Sequence, residues 1–180
     1  VEANRLTPLT VTSVLCLMLL GTAPRGVTEA EMRATIARVV EWARARAIRL
    51  SRELESGDEG ALAATLDTLM AGGLLARFDG GSEPVYSIPP DHHPMASYYR
   101  NIIAHHFLDR AMIELALFAL RDADRGDVTE AFWARVDRLR DLFKFEFFYP
   151  PRDVHRTALE AELARIDPAW AKRLASGDRG

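Results

Sequence analysis

The chain has 180 residues, enough for one domain or one domain with a helical appendage. Its composition, 48% hydrophobic and 27% charged, is that of a globular protein and excludes a disordered one. With a formal net charge of -3 and a pI of about 6.0 it has no basic excess of the kind a whole-domain nucleic-acid footprint needs, so nucleic acid is not an expected partner.

A single cysteine, Cys16, excludes an internal disulfide and fits a reducing compartment. Val1 in place of an initiator methionine points to a processed chain or a fragment. The most apolar run, Leu9 to Leu20, is about twelve residues long, short of the roughly twenty that span a bilayer. No small-residue cleavage site of a signal peptide follows it. It is expected as a buried helix that Thr7-Pro8 caps and Gly21 ends.

Thr28 and Glu31 form a capping-box pattern that opens a second helix. Met32, Ile36, Val39, Ala43, Ala47, Leu50 and Leu54 repeat along one face of it, up to a stop at Ser56-Gly57. A third helix is expected over 60–71. Leu74–Phe78 and Val85–Ile88, two apolar segments around a glycine-rich turn, read as a β-hairpin. Helices followed by a hairpin resemble a winged-helix arrangement, although the third helix carries only Asp67 as a charge where a DNA reader needs cations. Pro89-Pro90 to Pro94 reads as a rigid linker, followed by a long helix over 95–120. A polar loop is expected at 122–126. Asp127 caps a helix over 128–148 that Pro150-Pro151 ends, and two further helices follow, over 153–165 and after Asp167-Pro168, before a frayed tail. The fold class is therefore mainly α, a multi-helix domain with one small β-hairpin and a winged-helix-like N-terminal half. It divides into 1–94 and 95–180.

The 95–120 helix is apolar nearly all round, which predicts a central, buried position. Yet Asn101, His105 and Asp109 share one ridge, and His106, Arg110 and Glu114 the next. Buried charges need partners. Two readings stay open: internal pairing of His105 with Asp109 and Arg110 with Glu114, or a face made of Arg100, Asn101 and His105 that meets a partner domain. No third ligand accompanies His105 and Asp109, so no metal is expected.

Ser97-Tyr-Tyr-Arg-Asn-Ile-Ile-Ala-His-His-Phe107 resembles the Tyr-Tyr-Arg-Asn…His-x-Phe segment downstream of the catalytic domain in the glycerol-3-phosphate and dihydroxyacetone-phosphate acyltransferase family. Asn4-Arg5-Leu-Thr-Pro-Leu-Thr is similar to the family's post-catalytic Asn-Arg-x-Thr-Pro-x-Thr segment, and Lys144-Phe-Glu-Phe-Phe148 to its late Lys-x-Glu-Phe-Phe stretch. The three stand in the family's order and cover residues 4 to 165.

The resemblance implies a parent that moves an acyl group from acyl-CoA or acyl carrier protein to the sn-1 hydroxyl of glycerol 3-phosphate, at the cytoplasmic face of the membrane. The family's chemistry uses a His-x-x-x-x-Asp motif, whose histidine is the general base, and a Phe-Pro-Glu-Gly-type loop. This chain has neither: three residues separate His105 from Asp109, and Ser97 and Tyr98 stand where His92 and His93 would need an aspartate. No catalytic residue is therefore carried over, no cofactor is expected, and the implied role is that of a C-terminal accessory region whose partner is its own catalytic domain.

Two surfaces are candidates for contact. The second helix carries Arg38, Arg44, Arg46, Arg49 and Arg52 against Glu41 and Glu53, which is either a solvated face or one that lies on an anionic membrane surface. Five aromatic residues crowd 143–149, more than one helical face can bury. Phe147, Phe148 and Tyr149 are the candidates for membrane or interdomain contact, and Trp42, Trp133 and Trp170 are expected to pack.

Overall fold

A computed structural model describes residues 6–120 and 127–176. Asn4, Arg5, the expected loop at 122–126 and the tail beyond Ser176 lie outside the described residues. The fold is mainly α, with a small three-stranded antiparallel sheet. The chain divides into two compact units, Glu2–His106 and Phe107–Gly180.

In the first unit, α1 spans Val11–Thr22. It starts at Thr10 rather than Thr7: Thr10 Oγ1 accepts from the Ser13 amide, and Ser13 Oγ accepts from the Thr10 amide, a reciprocal capping box. The shift follows from Leu9, which is fully buried and pairs as a β-bridge with Leu50, so its backbone cannot be helical. Gly21 does not end the helix, which runs on to Thr22, where Oγ1 donates back to the Met18 carbonyl.

Strand β1 (Val27–Thr28) leads into α2 (Glu29–Arg44), whose Thr28/Glu31 capping box forms as expected. The expected single helix to residue 56 is broken. The amides of Ala45, Arg46, Ala47 and Ile48 turn back onto carbonyls of 41–44, and Ala47 takes a left-handed φ of 52°. A short α3 (Arg52–Ser56) ends at Gly57, also left-handed. Asp58 then caps α4 (Glu59–Ala71). Strands β2 (Ala76–Phe78) and β3 (Val85–Ser87) form the expected hairpin, and β3 also pairs with β1, giving the order β1-β3-β2. Helix–strand–helix–helix–helix–hairpin, with the first strand paired to the last and α3 only five residues long, resembles the winged-helix arrangement expected. The segment expected as a rigid linker is a 3-10 turn (Pro90–His92) that leads straight into α5 (His93–Ala104), with Pro94 in its first turn, where a missing amide costs nothing.

The expected continuous helix over 95–120 is two helices. Residues 105–107 form a turn, and α6 begins at Leu108 and runs to Ala119. No glycine or proline causes the break. His106 Nε2 donates to the Thr7 carbonyl at 2.9 Å, holding the turn by a tertiary bond that no local pattern announces. The expected burial also changes. Only Ala96 and Ile103 of α5 and Met112, Ile113 and Ala116 of α6 are buried, while Met95, Tyr98, Ile102, Leu115, Leu117 and Phe118 remain exposed.

In the second unit α7 spans Val128–Phe143, capped by Asp127, whose side chain accepts from the Glu130 amide. It stops five residues before the expected end at 148. Helices α8 (Arg152–Ile166) and α9 (Trp170–Ser176) complete the unit. Its core joins Met112, Ile113, Phe132, Trp133, Leu159 and Leu163, with Trp170 packed edge-on against Trp133.

Candidate functional site

The Tyr-Tyr-Arg-Asn segment lies on α5, where the helical repeat sorts its residues. Ala96 and Ile103 point into the core of the first unit, which leaves Met95, Tyr98, Asn101 and Ile102, at spacings of three and four, on the outer side. Tyr98 is 68% exposed. Its ring meets Tyr99 edge-on at 5.8 Å. Arg100 turns its guanidinium along the surface, and Nε and Nη2 both donate to Asn101 Oδ1, at 3.1 and 2.9 Å. The bond orients the asparagine amide, and among the described residues no carboxylate lies within ion-pair distance of Arg100. Arg100 and Asn101 are thus brought together on an apolar-edged face.

His105 lies at the end of this helix, its ring 3.9 Å from that of His106. Burial holds the His106 pKa below its ordinary value, and the His105 neighbour adds to this against the bond to Thr7, which favours the charged form. His106 is therefore a neutral imidazole that donates from Nε2. Of the internal pairs expected on this stretch, His105 and Asp109 stand on either side of the break at 105–107, and Asp109 Oδ1 meets His155 Nε2 at 3.1 Å. The other expected pair, Arg110 with Glu114, is present.

His155, which sequence reading missed, is 4% exposed and sits on α8. It clamps α8 to α6 through Asp109, and its ring packs edge-on against Tyr149 at 4.9 Å. Nothing in the sequence around His155 marks it, because its partner lies 46 residues away. Trp133, Asp137, Arg152, Arg156 and His155 line a shallow depression of about 240 Å³. Its arginines are engaged: Arg152 with Asp137 and Asp141, Arg156 with Glu160 and the Trp133 ring.

The aromatic segment divides in two. Phe143 and Phe147 pack edge-on at 6.4 Å. Tyr149 turns inward, donates to Met112 Sδ at 3.6 Å and lies under the Arg140 guanidinium, and burial pushes its pKa up to about 12. Phe148 faces solvent at 85% exposure, as does Phe145, with the Lys144 ammonium 5.3 Å over its ring. Phe145 thus joins Phe148 at the surface, while Phe147 and Tyr149 belong to the packed side.

Among the described residues no three His, Cys, Asp or Glu side chains converge as a metal site. The Cys16 thiol is buried, its pKa raised to about 11, so it stays protonated and unreactive. Among the described residues no helix is long and apolar enough to cross a membrane.

A sequence profile described as "Glycerol-3-phosphate acyltransferase C-terminal region" matches residues 1–179. The chain belongs to this family. It is 34% identical, over 165 residues, to proteins named as acyltransferase plsB1 in Mycobacterium bovis and in two strains of Mycobacterium tuberculosis. The match takes in 91% of this chain and 26% of each relative, so the chain spans about a quarter of their length. No solved structure matches it significantly.

Proposed function

We propose that this chain is the accessory C-terminal region of a glycerol-3-phosphate 1-O-acyltransferase, which braces an acyltransferase domain through the outer face of α5 and acts peripherally at the cytoplasmic face of the membrane. The parent would take its acyl group from acyl-CoA or acyl carrier protein, and the transfer would occur outside this chain. One observation carries the reading: α5 and its Tyr-Tyr-Arg-Asn segment expose Met95, Tyr98 and Ile102 around the Arg100–Asn101 pair. Apolar side chains buried there would contribute about 25 cal/mol per Å². The oriented amide and the guanidinium would supply the polar specificity of an interface.

A second reading, a non-enzymatic interaction module, is favoured by the winged-helix order of the first unit. One experiment separates the two. The full-length parent is assayed for glycerol 3-phosphate acylation with Tyr98→Ala/Ile102→Ala. The accessory reading predicts a loss of activity with the melting of the isolated chain unchanged. An interaction module predicts no acyl transfer by the parent at all.

A further inference from the structure

The corner between α2 and α3 concentrates positive charge in a chain whose net charge is negative. Between residues 38 and 52 five arginines face one glutamate, Glu41, with Glu53 and Glu55 just beyond. Several arginines elsewhere sit against carboxylates: Arg25 with Glu31, Arg33 with Glu29, Arg77 with Asp79, Arg173 with Asp167. Two of the corner arginines donate to neutral oxygens. Arg38 donates to Thr35 Oγ1, and Arg44 to the Glu55 carbonyl. Among the described residues no carboxylate lies within ion-pair distance of Arg38, Arg44, Arg49 or Arg52, and all four are exposed.

The corner is also rigid. The turn at 45–48 is held by successive backbone bonds, and the segment after it is pinned to Leu9 by two more, Leu9 N–H to Arg49 O at 2.9 Å and Ser51 N–H to Leu9 O at 2.8 Å. Leu50 and Leu54 are buried beneath, so Arg49 and Arg52 stand outward from a fixed base. Beside them the Arg46 guanidinium stacks on Trp42 at 4.6 Å, pairing an amphipathic ring with a cation as at a lipid headgroup interface.

We propose that this corner docks on an anionic phospholipid surface, with Arg38, Arg44, Arg49 and Arg52 against the headgroup phosphates. The inference deepens the accessory-region reading and rests on it, because the product of acyl transfer to glycerol 3-phosphate carries a long alkyl chain and belongs in a bilayer. Nucleic acid fits less well. The helix that reads a groove in a winged helix corresponds to α4, which carries Asp67 and no cation. Clustered cations at a charged bilayer each strengthen binding several-fold, and the attraction is screened by salt.

The test is co-sedimentation of the chain with vesicles of phosphatidylcholine alone or mixed with phosphatidylglycerol. Arg49→Gln/Arg52→Gln is compared with Arg135→Gln/Arg138→Gln, an equal charge change on exposed positions of α7. Binding to the mixed vesicles only, weakened roughly thirtyfold by the corner variant and little by the control, is the expected result. Equal binding to neutral vesicles, equal losses in both variants, or displacement from the mixed vesicles by a DNA duplex or an acidic polypeptide at a lower concentration of negative charge than the vesicles present would overturn it. If the corner variant melts below wild type, Arg38→Gln on the outer side of α2 replaces it. Acyl transfer by the parent in detergent micelles keeps the two claims apart. Activity there without vesicle binding sinks the lipid proposal alone, whereas no activity sinks the reading beneath it.

Discussion

His106 donates from Nε2 to the carbonyl of Thr7 at 2.9 Å, closing the first unit across 99 positions of sequence. The same contact sits at the break in what the sequence offers as one long helix, and burial of the ring, working against this bond, disfavours its charged form. Its pKa in the fold therefore lies below the ordinary 6.5. As pH falls through that value, unfolded chains bind a proton that the folded chain refuses. Stability drops until the folded pKa is reached and then levels off. Urea melts between pH 7.5 and 5 should show this decline, and His106→Gln, which still carries a donor, should flatten it. An equal slope in the variant would place the acid sensitivity elsewhere.

His155 and Asp109 join α8 to α6 from positions 46 apart. His155→Ala removes a buried ring, its bond to Asp109 and its packing on Tyr149, and should cost about 2–3 kcal/mol. Tryptophan fluorescence from Trp133 and Trp170 reports unfolding of this unit. A change under about 0.5 kcal/mol would show that the clamp contributes nothing.

How the aromatic segment divides was not legible in advance. Lys144-Phe-Glu-Phe-Phe148 gives no period, and the sorting follows from where α7 stops, at Phe143. Phe147 then stacks on Phe143 and Tyr149 reaches Met112, leaving Phe145 and Phe148 in solvent. Local signals were legible where the chemistry is local. Thr28 and Glu31 cap α2, Asp127 caps α7, and the glycine-rich turn between Phe78 and Val85 makes a hairpin. β1 was not, because two residues have no period and their partners are Val85 and Tyr86. The choice of Thr10 over Thr7 as a cap depended on Leu9 pairing with Leu50, a contact between distant residues. The face of α5 was legible only in part. Arg100 and Asn101 were readable as candidates, but the exposure of Tyr98 and Ile102 beside them was not, since an all-round apolar helix reads as buried.

Phe145→Ser/Phe148→Ser should leave the melting temperature unchanged, because neither ring is buried, whereas Phe147→Ala should lower stability by roughly 1–2 kcal/mol. Thermal unfolding of both variants decides. An equal loss from the double variant would mean that the exposed pair packs in solution.

Ala47 holds a left-handed φ of 52°, a conformation that costs a residue with a Cβ roughly 1–2 kcal/mol. Glycine relieves this and gives part of it back through the freedom of the unfolded chain. Ala47→Gly should therefore stabilise the chain by roughly 0.5–1 kcal/mol, read from denaturant midpoints at constant m-value. Destabilisation would argue against the left-handed turn.

The most direct test of the accessory role is acyl transfer from acyl-CoA to glycerol 3-phosphate, measured for this chain alone, for the remainder of the parent alone, and for the two mixed. The account predicts no product from this chain, little from the remainder, and recovery on mixing that Tyr98→Ala/Ile102→Ala abolishes. Turnover by this chain alone, or full activity of the remainder without it, would contradict the account.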